Sequence, residues 1–174
     1  MEESNRLTAP TVKAMKEKII TVSPEKCVGC GICEYACSYR KEGVFNPLKS
    51  RIRVIRIGLL INTALVCRKC EDPSCVRSCP RGALVKRRWD GLVIVNEEKC
   101  DGCGYCIEAC DFGAITIHPE KNVAIICDYC AGEPECMLWC PEEAIQLVPK
   151  ENLAQEKRVG AVKRRFEKEL EVTA

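Results

Sequence analysis

Sixteen cysteines, set out in four groups of four along 174 residues, constrain this chain more than any other feature. The groups are Cys27, Cys30, Cys33 and Cys37; Cys67, Cys70, Cys75 and Cys79; Cys100, Cys103, Cys106 and Cys110; and Cys127, Cys130, Cys136 and Cys140. Cysteine at this density points to a disulfide scaffold, a set of zinc sites or iron–sulfur clusters. A disulfide scaffold needs an oxidising compartment, and therefore an export signal. Met1 to Ile20 is mixed in charge, lacks a twin-arginine pair and holds no apolar core of signal-peptide length. The longest mainly apolar stretch, Ile57 to Cys67, is interrupted by Asn62 and Thr63 and is too short to span a bilayer. The expectation is a soluble, cytoplasmic chain with no membrane span, whose thiols stay reduced and free to bind metal.

The spacing selects the metal. The first and third groups are C-x2-C-x2-C-x3-C runs, and the second and fourth each end in Cys-Pro, at Pro80 and Pro141. Three thiolates at two-residue intervals wrap a loop around one cubane, so that each sulfur meets a different iron. The fourth, three residues on, is expected to open a short helix that points away and to ligate a neighbouring cluster. Zinc sites pair two C-x2-C knuckles across a longer spacer and have no use for a third cysteine at this spacing. The expected cofactors are four [4Fe–4S] clusters, with all sixteen cysteines as iron ligands.

An internal repeat supports this. Val22 to Cys37 aligns with Val95 to Cys110 without a gap, and "EKCVGCGIC" from Glu25 matches "EKCDGCGYC" from Glu98. Gly29, Gly31, Gly102 and Gly104 suit loops whose backbone approaches inorganic sulfide closely. The second and fourth groups share Cys-Pro followed by a short alternating strand. The chain reads as two half-modules, each used twice.

The fold class expected is α+β. Ile19 to Val22 and Leu92 to Val95 are short strands leading into cluster loops. Ala114 to Ile117 and Val123 to Ile126 form a hairpin around His-Pro-Glu-Lys-Asn. Ala83 to Val85 and Ala144 to Val148 close the second and fourth modules. Arg51 to Ile57 alternates charged and apolar residues, as a half-exposed strand would, within an insertion at about 41–66. Residues 1–149 make one four-cluster domain. Residues 150–174 make a C-terminal tail in which Val162, Phe166 and Leu170 recur at helical spacing, for a helix over the body or a partner subunit.

The order of the motifs, with C-x2-C-x4-C-x3-C-P in second place, resembles the four-cluster ferredoxin-like subunits of molybdenum and tungsten pterin oxidoreductases. The likeness runs from about Ile19 to Pro149 and is closest to the small, anchorless form that accompanies tungsten aldehyde oxidoreductases. The resemblance implies two interleaved ferredoxin-like modules, the first motif pairing with the fourth and the second with the third. It implies one cluster on Cys27, Cys30, Cys33 and Cys140, and a neighbour on Cys127, Cys130, Cys136 and Cys37. A third would sit on Cys67, Cys70, Cys75 and Cys110, and the last on Cys100, Cys103, Cys106 and Cys79. The implied partners are a larger catalytic subunit, a tungsten or molybdenum pterin enzyme, and a further electron carrier or flavoprotein. One departure is the five-residue spacer between Cys130 and Cys136, where many relatives carry a longer insertion.

Charge is uneven along the chain. The formal net charge is +2. Four oxidised clusters at about −2 each, thiolates included, would bring the loaded protein to about −6. Lys41 to Asp90 holds twelve Lys/Arg against four Asp/Glu, and Gly91 to Pro149 two against eleven. This fits either compensation of cluster charge or a gradient between two docking ends. "KRRW" from Lys86 lacks the aromatic interleaving of a nucleic-acid surface, so no nucleic acid is expected.

The remaining polar and aromatic residues read as structural. His118 is expected to be exposed at a hairpin edge. Trp89 and Trp139 fit cluster shielding, core packing or an interface, and Tyr35, Tyr105 and Tyr129 fit solvent exclusion beside cluster loops. No nucleophilic triad, acid–base carboxylate pair or phosphate loop is present, so no catalytic residue is assigned. Two functions remain: the non-catalytic electron-transfer subunit of a larger oxidoreductase, or a free-standing polyferredoxin serving several enzymes.

Overall fold

The computed structural model describes residues 18–58, 61–154 and 158. Eight short strands form four separate two-stranded antiparallel sheets. Three are local: β2 (Arg53–Ile57) with β3 (Ile61–Leu65), β4 (Leu84–Lys86) with β5 (Val93–Val95), and β6 (Ile115–Ile117) with β7 (Ala124–Ile126). The fourth joins the two ends of the domain. β1 (Lys18–Val22) pairs β8 (Ile145–Pro149) in register from Lys18↔Pro149 to Val22↔Ile145. That pairing sets the first cysteine group beside the last, as β4–β5 sets the second beside the third.

Seven of the eight described strands follow the expected ranges to within two residues at each end, because each is a β-branched run bounded by turn residues; β3 was not expected. β2 is half-buried at Arg53 and Val54 and exposed from Ile55 to Ile57, so its burial does not follow the alternation of charged and apolar residues expected from the sequence. Residues 150–154 continue from β8 as helix. The helical spacing of Val162, Phe166 and Leu170 lies outside the described residues. Among the described residues no helix is long and apolar enough to cross a membrane.

Helices are minor elements here. α2 (Ser74–Arg77), α3 (Tyr105–Glu108) and α4 (Glu135–Leu138) are single turns, while α1 (Ile32–Glu42) is longer. Their placement corrects the expectation that the fourth cysteine of each group opens a helix. Each helix begins just before the third cysteine, and Cys79, Cys110 and Cys140 come just after the short ones end. The residue before the helix explains why. Gly31 and Gly104, at φ 82° and 84°, turn the chain into helix in the first and third groups. Pro73 and Pro134 do so in the second and fourth, where an extended residue enters the helix. The longer spacers before Cys75 and Cys136 make room for that proline.

The β2–β3 hairpin lies within the segment expected as an insertion, yet its second half has a counterpart. Asn62-Thr-Ala64-Leu-Val-Cys67 repeats as Asn122-Val-Ala124-Ile-Ile-Cys127. Residues 43–52, with a 3₁₀ turn at Pro47–Lys49, and the longer α1 have no counterpart in the second module.

Two small cores hold the domain. One gathers Ile20, Ile52, Val66, Leu92 and Ile145 around Cys33, Cys37, Cys127 and Cys136. The other gathers Leu84, Val93, Ile115 and Ile126 around Cys106. The half-buried Cys67 packs against both.

Three tight turns after the fourth cysteines put a left-handed residue at the same place: Gly82 (φ 58°), Gly113 (φ 58°) and Glu143 (φ 47°). A side chain costs about 1–2 kcal/mol in this conformation, and glycine avoids it. Glu143 is exposed and makes no ion pair among those described. Glu143→Gly is therefore expected to hold or raise stability by up to about 1 kcal/mol, net of the entropy glycine adds to the unfolded chain. The readout is the temperature at which the anaerobic protein loses its visible absorption; a clear drop would contradict this account.

Candidate metal centres

Each C-x2-C loop turns on a left-handed residue just before its second cysteine: Gly29 (φ 71°), Lys69 (φ 51°), Gly102 (φ 71°) and Tyr129 (φ 59°). At two of the four, glycine is also demanded by space. A Cβ on Gly29 would lie 2.6 Å from Asn62 Oδ1, and one on Gly102 would collide with the Asn122 backbone carbonyl. These are the repeated asparagines of the two hairpins, so each hairpin presses on one cysteine loop. Polar bonds fix the contact. Arg56 Nε donates to the Gly29 carbonyl at 2.8 Å, and Asn122 Nδ2 donates to the Asp101 carbonyl at 3.2 Å.

The loops aim their thiols into hollows. Cys27, Cys30 and Cys33 share one with Cys140, floored by Val54, Ala64 and Ile145. Cys100, Cys103 and Cys106 share another with Cys79, floored by Leu84, Ile117 and Ala124. Their empty volumes, mouths included, are about 350 and 280 Å³. The remaining thiols influence one another electrostatically in the same crossed fashion. Cys37 acts on Cys127, Cys130 and Cys136, and Cys110 acts on Cys67 and Cys75. Among the described residues no three Cys, His, Asp or Glu side chains close on one point as the ligands of a single ion would. The thiols stand around a space for a group of several atoms.

These thiols fit a positively charged inorganic core. Burial first, then Glu34 and neighbouring thiols, pushes Cys33 up to about 12. Burial, then Cys67 and Cys110, takes Cys75 to about 11. Burial also raises Cys127 and Cys136 well above the ordinary thiol range, with Cys136 and Cys37 adding to the first and Cys37 and Cys130 to the second. Four thiolates in one such hollow are untenable unless cationic iron shares it. Backbone amides supply further support. N–H groups of Arg51, Ala83, Ala124 and Ala144 donate to the sulfurs of Cys37, Cys79, Cys100 and Cys140 at 3.2–3.3 Å. At Cys79 burial raises the pKa, but the amides of Ala83, Arg81, Leu84 and Gly82 together outweigh it and the thiol falls.

Comparison with known proteins agrees with this donor set. Residues 60–150 match the 4Fe–4S dicluster domain, and residues 19–45 match a 4Fe–4S binding domain. The chain belongs to the 4Fe–4S dicluster domain family. A polyferredoxin-like subunit of aliphatic sulfonate oxidoreductase from Pyrococcus furiosus is 41% identical over 138 residues, 77% of this chain and 80% of that protein. The electron transport protein HydN of Escherichia coli K12 is 34% identical over 173 residues, 85% of this chain and 95% of its own. Subunit beta of the NADH-dependent phenylglyoxylate dehydrogenase of Aromatoleum evansii is 35% identical over 79% of this chain, which spans 31% of that protein. The chain thus binds multiple 4Fe–4S clusters and is a non-catalytic, polyferredoxin-like electron-transfer subunit of the oxidoreductase kind.

Other residues around the clusters divide by exposure. Tyr129 is buried, and its hydroxyl donates to the Cys67 carbonyl at 2.8 Å while accepting from Ile20 N–H at 3.3 Å. Tyr35, Tyr105, Trp89 and Trp139 all lie about half exposed, which removes core packing from the roles considered for the tryptophans. His118 departs from expectation, at only 1% exposed. Its Nδ1 accepts backbone N–H groups of Glu120 and Lys121, at 3.2 and 3.1 Å, and so draws the ring under its own turn. Its Nε2 stands 3.6 Å from Glu42 at the end of α1. Sequence reasoning also missed Lys69, whose side chain is 2% exposed. The signal was available, since Lys69 occupies the loop position that holds glycine in "EKCVGCGIC" and "EKCDGCGYC".

The two glycine types of the 4Fe–4S loops separate experimentally. A Cβ at Gly104 would meet nothing within 4 Å, whereas one at Gly102 meets backbone. Gly102→Ala is expected to destabilise by more than about 2 kcal/mol and to cost the protein bound iron. Gly104→Ala should lose little more than the left-handed penalty of about 1–2 kcal/mol and keep its iron. Iron and acid-labile sulfide assays on the two anaerobically purified variants give the comparison.

Proposed function

We propose that the sixteen cysteines hold four [4Fe–4S] clusters in interleaved quartets, in the iron–sulfur subunit of a larger tungsten or molybdenum pterin oxidoreductase such as an aldehyde oxidoreductase. The quartets are Cys27, Cys30, Cys33 and Cys140; Cys127, Cys130, Cys136 and Cys37; Cys67, Cys70, Cys75 and Cys110; and Cys100, Cys103, Cys106 and Cys79. The observation that carries the quartets is the sharing of one hollow by Cys140 with the first group and of another by Cys79 with the third. Cys127 is influenced by both Cys37 and Cys67, which favours a continuous series with the second and third quartets inside. Cys30 and Cys103 are exposed and belong to the outer quartets. They are the natural ports for a catalytic subunit and an external carrier in the cytoplasm.

When bound, each cluster supplies a one-electron couple. The chain's own residues do the rest. The hairpins press the cysteine loops into shape through Asn62 and Asn122. Apolar floors exclude water from the sulfurs, and amide donors to Cys37, Cys79, Cys100 and Cys140 stabilise negative charge there. The motif order supports the pterin-enzyme reading. The likeness to a sulfonate oxidoreductase subunit over four-fifths of its length supports a place in a larger complex.

Anaerobic protein is expected to hold about sixteen iron and sixteen sulfide per chain. Cys27→Ala and Cys140→Ala should abolish the same electron-paramagnetic signal, and Cys127→Ala and Cys37→Ala a different one in common. Loss of one signal from Cys140→Ala and Cys130→Ala alike would show that the modules are not interleaved. Native co-purification at fixed stoichiometry with a tungsten- or molybdenum-containing polypeptide is the expected result for the partner. A monomer that exchanges electrons with unrelated enzymes would instead identify a free-standing polyferredoxin.

A further inference from the structure

The four left-handed loop positions fall into two kinds. In the first and third cysteine groups the residue is glycine, and a hairpin asparagine fills the space beside it. In the second and fourth it is Lys69 and Tyr129, at φ 51° and 59°. Both bear the strain that glycine would relieve, about 1–2 kcal/mol each. Lys69 stands between Cys67 and Cys70, and Tyr129 between Cys127 and Cys130. Their side chains meet each other: Lys69 Nζ lies 5.0 Å from the centre of the Tyr129 ring.

Burying an ammonium is costly unless the site answers its charge. Among the described residues the Lys69 side chain heads the set of largest fully buried side chains. Its Nζ donates to the Lys18 carbonyl at 3.1 Å, at the open end of the β1–β8 pair, and the Tyr129 ring offers its π face. Burial first, then Lys150, lowers the Lys69 pKa to about 8, which leaves the amine mostly charged at neutral pH; Asp90, which also accepts from Arg87 Nε at 3.2 Å, and Cys67 act in the other direction. Two thiolate-ligated clusters, each at about −2 and gaining a further negative charge on reduction, add a far larger attraction from both sides.

We propose that the Lys69 ammonium, seated against Tyr129 at the junction of the second and fourth cysteine groups, raises the reduction potentials of the two inner clusters above those they would otherwise have. It acts through charge and touches no substrate; it is a positioning residue for electrons. A fixed positive charge between two couples stabilises the reduced form of each, and the outer couples, farther off, feel it less. Glycine serves the backbone better at this position, and a lysine there supplies the charge that glycine lacks. The inference rests on the four-quartet reading above.

The test is a potentiometric titration of the loaded protein, followed by electron paramagnetic resonance, for wild type and three variants. Lys69→Met removes the charge and keeps most of the bulk. Lys69→Gly removes the charge and relieves the backbone, so it guards against a variant that merely folds poorly. Lys69→Arg keeps the charge. In Lys69→Met and Lys69→Gly, two of the four couples should become harder to reduce by about tenfold or more in equilibrium constant, roughly 59 mV per tenfold for one electron. The other two should move much less, and Lys69→Arg should restore the wild-type pattern. Unshifted inner couples in both neutral variants, at full iron content, would overturn the proposal. So would equal shifts of all four, or loss of iron from Lys69→Gly, which would make the lysine structural. A wild-type protein with fewer than four clusters is a separate outcome: it rejects the quartets, and this inference with them.

Discussion

The bond between cysteine thiolate and iron is the interaction on which the rest of this structure depends. Among the described residues, three of the four sheets are local hairpins of two short strands, and α2, α3 and α4 are single turns. Neither kind of element is stable alone in water. The two cores that could hold them together are small and built partly from cysteine itself. Burial lifts those thiols well above their ordinary range, so the unloaded interior resists the ionised form that binds metal. Cluster loading supplies the missing charge and ties strands and turns that are distant in sequence to one inorganic centre. Folding and loading are then one equilibrium, and the stability of the chain is inseparable from its iron.

Repetition sets the frame, and departures from it mark specialisation. Each cysteine loop needs a left-handed residue, and each short helix needs an entry residue. The first and third groups answer both needs with glycine, while the second and fourth use a side chain in the loop and proline before the helix. The difference is physical as well as formal. A glycine loop accepts a hairpin asparagine against its backbone, as Gly29 and Gly102 do. A loop carrying Lys69 or Tyr129 fills that space with its own side chain. The loops of the second and fourth groups thereby carry a charge and an aromatic ring of their own, where those of the first and third are pressed by hairpin side chains, Asn62 and Arg56 on one and Asn122 on the other.

Much of this was legible in the residues because local rules decide it. Cysteine spacing pointed to iron–sulfur loops, and β-branched runs between turn residues located the strands, including the hairpin around residues 118–122. The entry points of the helices were harder to place, since the spacing alone does not say whether helix starts before or after the third cysteine; Pro73, Pro134 and the paired glycines decide it. His118 was misplaced because polar residues at turns are usually solvated, whereas here two amides of its own turn satisfy Nδ1 and the buried Nε2 faces Glu42 at 3.6 Å. The β1–β8 pairing joins residues more than a hundred positions apart, beyond the reach of any periodicity. It was not foreseen; the family resemblance implied only that the first and fourth cysteine groups are neighbours.

The charge pattern shows why position along the chain is a poor guide to position in space. The stretch from Lys41 to Asp90 is strongly basic and the stretch after it strongly acidic, which invites the picture of a protein with one positive and one negative end. The fold instead brings the two stretches together. Lys41 pairs Asp128 at 2.6 Å, Lys49 pairs Glu120 at 2.8 Å and Arg81 pairs Asp101 at 2.9 Å. Other basic side chains are turned onto backbone carbonyls, as Arg53 is onto Leu48, Arg56 onto Gly29 and Lys86 onto Glu71. Partly exposed pairs of this kind each contribute little to stability, about 0–1 kcal/mol. Their larger effect is to cancel part of the asymmetry locally, where basic and acidic side chains from the two stretches meet. Charges paired at the surface are also screened by solvent and salt, and have little influence on a cluster inside. A cation that is to bias an inner cluster has to be buried beside it, and Lys69 meets that condition.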